Sequence, residues 1–468
     1  MTHLPWINTY TDYRWNVPSS EQLWYNTTKG PSVSRHTPRV FILHRIPAMA
    51  STTQRLTIRD LGHTPGALAP GPTNSILDVP GVRISQITIS TPGASAKDAT
   101  ATKGITVISP RPPKDFYKPC NAGTFTFNGN GELTGSRQIA DWGFTNTPIA
   151  FTNSLSLGTV YDGMWDWVQD RQDAMGWDDL TRGRHYGTPV VGETADWIIN
   201  SNTRRSRLEW SDIKAAFDGL KSVEDGAVVE EGQRGGGAGM TCHMFAGGTG
   251  TSSRIVGGGE GSEREYMLGV LCQSNYGNLS DLIVGGVPVG KILQKEKDGR
   301  ARESASTSEQ DNNDGTDFHI SNRPAPDSAG RIKDGSILVL IITDAPLATH
   351  QLQRLARHAT AGLAQVGGHG IGRTFSGDIF LALSTAENGP QQLTVPLRPG
   401  FKPTQTYSTQ VVKNESIDSY FLACSEAVEE AVLNSMVGGR EGAVTMSGER
   451  IEGLPLNRVR ELLGKHLV

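Results

Sequence analysis

The step Gly335-Ser336 stands directly in front of an apolar run, Ile337-Leu338-Val339-Leu340-Ile341-Ile342. Hydrolysis of that one peptide bond would leave Ser336 with a hydroxyl and a free α-amine on the same residue. A serine hydroxyl is a weak nucleophile and needs a base within hydrogen-bond reach. An α-amine, with an unperturbed pKa of about 7.7–8.0, keeps a usable neutral fraction near pH 7. Before the cut the same nitrogen is an amide and cannot accept a proton, so self-cleavage would switch the chemistry on. Gly335 suits such a step, because without a side chain it tolerates a strained backbone while the Ser336 oxygen attacks its carbonyl. Taken alone, a Gly-Ser step before a strand reads first as the end of a turn. Further on, Ser376-Gly377-Asp378 sets a hydroxyl and a carboxylate two residues apart, on one side of the chain if it is extended there. Alone, that triplet reads as a strand-entry turn.

Other groups of reactive residues lead elsewhere. Gly247-Gly248-Thr249-Gly250-Thr251-Ser252-Ser253-Arg254 has the look of a phosphate cradle but lacks the lysine of a P-loop. Its glycines are expected to allow close packing, and Arg254 to pair with a carboxylate. His350 and His358 are eight residues apart on one expected helix, with no third ligand spaced to complete a metal site, so no metal or other cofactor is expected. Trp165, Trp167 and Trp177 are expected in the core or at a subunit contact.

Which elements would position Ser336 follows from pattern. The run Ile337–Ile342 is short, continuous and β-branched, as in a central strand buried on both faces. After Pro346, Leu352, Leu355, Ala356, Ala359, Leu363 and Val366 recur at helical steps up to Gly367-Gly368. A strand is expected at Asp378–Leu383 and a long helix at Ile417–Met436. Upstream, Asp78–Ile84, Gly104–Ile108 and Met267–Leu271 read as strands, and Leu208–Leu220 as an amphipathic helix capped by Ser211. Residues 295–333 are polar throughout and are expected to form a mobile insertion. The N-terminal stretch 1–55 shows neither period and reads as a disordered or upstream-initiation extension, with Met49 as a second plausible start. The remainder, 56–468, is expected to be one catalytic domain.

A net charge of −4, with 20% charged residues spread along the 468-residue chain, argues against nucleic-acid or membrane partners. Four widely spaced cysteines form no CxxC pair and read as reduced thiols of a cytoplasmic protein.

In order along the chain, Arg59-Asp60-Leu61-Gly62, Asn128 to Gly135, Pro148 to Ser154, Gly235 to Met240, Asp334 to Leu347, Ser376-Gly377-Asp378 and Glu430 to Asn434 resemble signature stretches of one family. It is the L-aminopeptidase/D-esterase family, the DmpA and β-aminopeptidase group, whose precursors cut themselves to expose an N-terminal serine. The resemblance implies an α/β fold, a four-layered αββα sandwich, with cleavage between Gly335 and Ser336 into pieces 1–335 and 336–468. It also implies a homo-oligomer, a tetramer of processed units or larger.

By the same resemblance Ser336 is the nucleophile, Ser376 and Asp378 orient and polarise it, and Asn275 holds the oxyanion. Asp378 stands where the family has glutamate, one methylene longer. Two further departures bear on the substrate pocket: Glu193-Thr194-Ala195-Asp196-Trp197 has Ala195 in place of a tyrosine, and Gln233 precedes the glycine cluster where asparagine is expected. Ala195, Trp197 and Gln233 are thus pocket candidates. The expected function is a self-activated serine aminopeptidase or amidase, acting on small peptides or amino-acid amides and esters. The alternative is a non-catalytic or acyl-transferring member of the same fold.

Overall fold

The β-branched runs form strands, and two sheets gather them. The computed structural model describes residues 55–91, 100–201, 203–258, 264–307, 335–387, 402–404 and 406–467. In chain order the strands are β1 (Arg83–Thr91), β2 (Ala101–Ser109), β3 (Cys120–Gly129), β4 (Phe144–Thr145), β5 (Ile149–Asn153) and β6 (Val190–Thr194). They continue as β7 (Thr241–Cys242), β8 (Phe245–Ala246), β9 (Gly248–Val256), β10 (Tyr266–Asn275), β11 (Ser336–Thr343) and β12 (Gly377–Ser384). Among the helices of the described residues are α1 (Leu157–Ala174), α2 (Trp210–Asp218), α3 (Val289–Thr307), α4 (Thr349–Val366) and α5 (Asp418–Gly438).

The two larger sheets have the orders β1-β2-β5-β6 and β4-β3-β12-β11-β10-β9, while β7 and β8 pair with each other in a separate ribbon. Three separate cores reveal the layering. Ile105, Val107, Ala150 and Val191 of the first sheet pack with Val160 and Met164 of α1 and Ile213 and Phe217 of α2. Ile108, Ile149 and Phe151 meet Leu271, Leu338, Leu340 and Leu381 between the sheets. Val270, Ile337, Val339 and Phe380 pack with Leu352 and Leu355 of α4 and Val428 and Val432 of α5. Three cores between successive layers make the four layers of an αββα sandwich.

Strand β11 lies in the middle of this stack. Its side chains alternate, with Ile337, Val339 and Ile341 toward the helices and Leu338, Leu340 and Ile342 toward the other sheet. Burying each stabilises the fold by about 1.5–3 kcal/mol. The strand runs antiparallel to β10 and, through α4, parallel to β12. Gly367 at φ +102° ends α4 as the sequence pattern predicts.

Helix α5 is buried along most of its length and carries three buried acids, Glu426, Glu429 and Glu430. Arg254 of β9, wholly buried, meets Glu426 at 3.1 Å and Glu430 at 2.8 Å. Arg59 donates to both Glu430 oxygens at 2.6 and 2.8 Å, and Asn74 donates to one at 2.6 Å. The expected carboxylate partner of Arg254 is therefore two carboxylates. The expected close packing is also present: a Cβ on Gly250 would lie 1.9 Å from the Ala431 carbonyl oxygen.

Several expectations need correction. Asp78–Ile84 is no strand; Ile76–Asp78 is a 3-10 turn capped by Ser75, Gly81 bends the chain at φ +85°, and β1 starts only at Arg83. Glu209, not Ser211, precedes the first residue of α2, and its N–H donates to Asp212 at 2.9 Å. The insertion expected at 295–333 begins as helix, since α3 runs to Thr307. Its Lys, Glu, Ala and Arg residues are good helix formers, and Glu296 pairs with Arg458. Residues 308–334 lie outside the described residues, as does the N-terminal stretch before Arg55. Trp167 is buried against Phe116 and Phe217 with ring centroids 5.4 and 5.8 Å away, as core. All four cysteines are buried and none is joined in a disulfide. Among the described residues no helix is long and apolar enough to cross a membrane.

Candidate active site

Ser336 is the first residue of β11 and 7% exposed. Pairing sets its neighbours: Asn275, the last residue of β10, lies opposite Ser336, and Ile337 lies opposite Asp378 of β12. The Gly377 N–H donates to Ser336 Oγ at 3.2 Å. Gly335 passes so close to β10 that a Cβ there would lie 2.3 Å from the Asn275 carbonyl oxygen and 2.4 Å from Tyr276 Cα. A residue with a side chain could not take that path without moving backbone.

Ser376 and Asp378 are bonded to each other. Ser376 Oγ lies 2.6 Å from both Asp378 carboxylate oxygens, and the Gly372 N–H donates to Asp378 Oδ2 at 2.6 Å. The shorter acid therefore still reaches its hydroxyl partner, because the loop before β12 folds onto it. Asn128 of β3 secures this loop, donating to the carbonyls of Arg373, at 2.6 Å, and Ser376. By strand alternation Asp378 shares the face of Phe380 and Ala382, toward the helices, while Ser336 shares the face of Leu338, toward the other sheet. The group that touches the Ser336 hydroxyl is the Gly377 amide between the two side chains.

Asn275 has both ends of its amide engaged. Its Oδ1 accepts from Thr241 N–H at 3.0 Å, and its Nδ2 donates to the Ala195 carbonyl at 2.8 Å. One donor and one acceptor fix which end is oxygen, and a second hydrogen remains on Nδ2. Ala195 follows β6 and is half-buried; Trp197 opens the helical turn Trp197–Asn200 and is 57% exposed. Gln233 is half-buried and its amide is spent on main-chain groups. Its Nε2 donates to the carbonyls of Met240 and Gly247 at 2.6 and 2.7 Å, and its Oε1 accepts from Gly239 N–H at 2.9 Å, so it staples the glycine-rich turn.

The sequence reading passed over Glu193. This half-buried carboxylate accepts from Ser154 Oγ and from Glu132 N–H, the latter at 3.1 Å. A Cβ on Gly131 would lie 3.5 Å from Glu193 Oε1 and 3.2 Å from Gly377 Cα, which places the acid near the start of β12. Burial raises its pKa, against the opposing effect of the Ser154 hydrogen bond. Its place in the stretch that supplies Ala195 was the available signal. Among the described residues no group of three or more His, Cys, Asp and Glu side chains is gathered for a metal, and His358 instead stacks on Phe421 at 3.8 Å.

The chain is 33% identical over 425 residues to β-peptidyl aminopeptidase BapA of Sphingosinicella microcystinivorans, covering 90% of this chain and 94% of the relative. The solved β-aminopeptidase of a Burkholderia species superimposes with a TM-score of 0.68 at 36% identity, over 88% of this chain and 99% of that one. The L-aminopeptidase/D-Ala-esterase/amidase of Ochrobactrum anthropi, described as a prototype of the serine aminopeptidases and a variant of the Ntn-hydrolase fold, matches with a TM-score of 0.68 at 33% identity, over 88% and 98%. The profile of peptidase family S58 matches residues 74–450, and the chain belongs to that family of serine aminopeptidases.

Proposed function

We propose that the chain cuts itself between Gly335 and Ser336 and then releases N-terminal residues from small peptides, amides or esters through an acyl-enzyme on Ser336. The observation that carries this reading is the position of Ser336, with Asn275 opposite it on β10 and the Gly377 N–H on its hydroxyl. Ser336 Oγ attacks the carbonyl of the substrate's first residue, and its proton passes to the α-amine of the same residue. The remaining Nδ2 hydrogen of Asn275 meets the negative charge that develops on the carbonyl oxygen. As the intermediate collapses the α-ammonium returns the proton to the leaving amine, and water then frees the acyl group by the reverse sequence. Ser376 and Asp378, on the other face of the strand, steady the main chain at Ser336 and its new amine.

Relatives named β-peptidyl aminopeptidases make peptides with an N-terminal β-amino residue the first substrates to try. The expectation of a homo-oligomer rests on the family resemblance, and that of a cytoplasmic setting on four buried cysteines outside any disulfide. N-terminal sequencing of the purified protein tests the proposal, with a second sequence starting Ser-Ile-Leu-Val as the expected result. A single uncut chain that hydrolyses no amino-acid p-nitroanilide would overturn it.

Glu193 gives the substrate ammonium a counter-charge beside the nucleophile. A lost hydrogen bond to a charged group costs about 1.5–3 kcal/mol, so Glu193→Gln should raise KM by roughly 10- to 100-fold. Self-cleavage should continue, because the scissile Gly335 carries no free amine. Since burial raises the Glu193 pKa, wild-type KM should begin to climb at a higher pH on acidification than an ordinary glutamate would produce. Steady-state kinetics with an unchanged KM in Glu193→Gln would refute this role.

A further inference from the structure

The residue after Ala195 is a carboxylate buried with no cation paired to it among the described residues: Asp196 is fully inaccessible, and its Oδ2 accepts from the side-chain amides of Asn153 and Asn200 at 2.7 and 2.8 Å. Both amides are anchored in turn. Asn153, at the end of β5, donates to the Ser206 carbonyl at 2.8 Å and accepts from Ser156 N–H at 3.2 Å. Asn200 exchanges hydrogen bonds with the Thr102 main chain of β2, at 3.0 and 2.6 Å. The glycine-rich turn stapled by Gln233 presses on the same spot, since a Cβ on Gly239 would lie 3.2 Å from Asp196 Cβ and 2.6 Å from Asn200 Nδ2.

Two segments therefore converge at Asp196, and they are the two that hold Asn275. The Ala195 carbonyl, which receives Asn275 Nδ2, precedes Asp196 in the chain. The Thr241 N–H, which serves Asn275 Oδ1, lies two residues beyond Gly239. A carboxylate oxygen can take both amide hydrogens at one point, which no apolar side chain could do. Burial opposes the charged form, while the two amides favour it.

We infer that Asp196 is a positioning residue for Asn275: it locks the Ala195 carbonyl and the Gly239–Thr241 segment together, so that the free Nδ2 hydrogen keeps its aim at the oxyanion. The inference rests on the oxyanion role proposed for Asn275.

The test compares kcat and KM of D196A, D196N, N275A and D196A/N275A, per cut chain counted on a denaturing gel. N275A should lose roughly 10²- to 10³-fold in kcat. A misplacement of about 1 Å costs on the order of a hundredfold, so D196A should lose about that in kcat with KM within about threefold of wild type. D196N, whose side-chain oxygen can accept both amide hydrogens, should recover to within about fivefold. In the double variant the losses should not multiply, because the second change acts through a group already absent. Wild-type kcat in D196A, or multiplying losses, overturns the inference while leaving Asn275 in place. Wild-type kcat in N275A removes the oxyanion role itself and the inference with it. Should D196A not fold, D196N carries the test, and a loss in D196N that persists undiminished on N275A has the same overturning force.

Discussion

Ser336→Ala should give one uncut chain of 468 residues with no measurable aminopeptidase turnover, where the wild-type protein should give pieces 1–335 and 336–468. Alanine removes the attacking oxygen from both reactions at once: no ester forms with Gly335, and no acyl-enzyme forms with substrate. Loss of a catalytic serine costs about 10⁶ in kcat in a comparable hydrolase. The fold should be unaffected, because the backbone pairing with Asn275 remains and, among the described residues, the hydroxyl accepts only a 3.2 Å bond from Gly377. Ser336→Cys, which keeps a nucleophile at the same position, should still be cut, though more slowly. Mass spectrometry of the intact proteins decides the matter. Fragments from Ser336→Ala that end at Gly335 would mean that some other group breaks the bond.

Arg254→Met should lower unfolding free energy by about 3–5 kcal/mol, the cost of removing one partner from a buried ion pair. The guanidinium is wholly buried and fully used. It meets Glu426 at 3.1 Å and Glu430 at 2.8 Å, and donates to the carbonyls of Ser253, Pro65 and Glu426 at 2.7, 2.8 and 3.2 Å. Methionine fills much of the volume but leaves two buried carboxylates with less positive charge beside them. Arg59 still bonds Glu430, so Glu426 bears most of the loss. Arg254→Lys should recover only part, since a point charge cannot serve five acceptors in a fork. Urea midpoints measured in the uncut Ser336→Ala background keep fragment dissociation out of the comparison, and a shift below about 1 kcal/mol would contradict the account. The network should also weaken in acid. Burial alone would raise the Glu430 pKa, but Arg59, Arg254 and Asn74 together hold it below the usual carboxylate range. A depressed carboxylate contributes fully at neutral pH, and that contribution is lost as pH falls through its lowered pKa.

The parts of this fold that could be read from the sequence are the ones with local causes. Ile337–Ile342 reads as a doubly buried strand because no polar residue interrupts it, and α4 reads as a helix because its apolar stripe repeats at three and four residues. The seven ordered stretches carried the layered fold through resemblance. Register was not legible. That Asn275 faces Ser336 depends on how β10 and β11 align, and nothing in the periodicity of either strand states the offset. Glu193 was hidden for a related reason, since its approach to Gly377 runs through Gly131, far off in sequence. The bonds of Gln233 were not legible either, because a polar side chain beside a glycine cluster can face a cleft or a backbone with equal ease, and here three backbone groups claim it. The start of the insertion was misread because α3 has helix-forming residues but little apolar period beyond Leu293, so composition alone resembled a loop.

The strand order of the larger sheet changes what unfolding means for this protein. β11 and β12 follow the Gly335-Ser336 bond, whereas β10 and β3, which flank them, precede it. Once that bond is broken, one continuous sheet is woven from two polypeptides, and neither can complete its own hydrogen-bond ladder. Refolding of the intact chain is a first-order event, independent of dilution. Refolding of the cut protein is second order, because two molecules must meet before either strand pair finds its neighbours. Cleavage would thus turn the fold into a one-way product, whose survival in dilute solution depends on how rarely it opens rather than on how readily it closes.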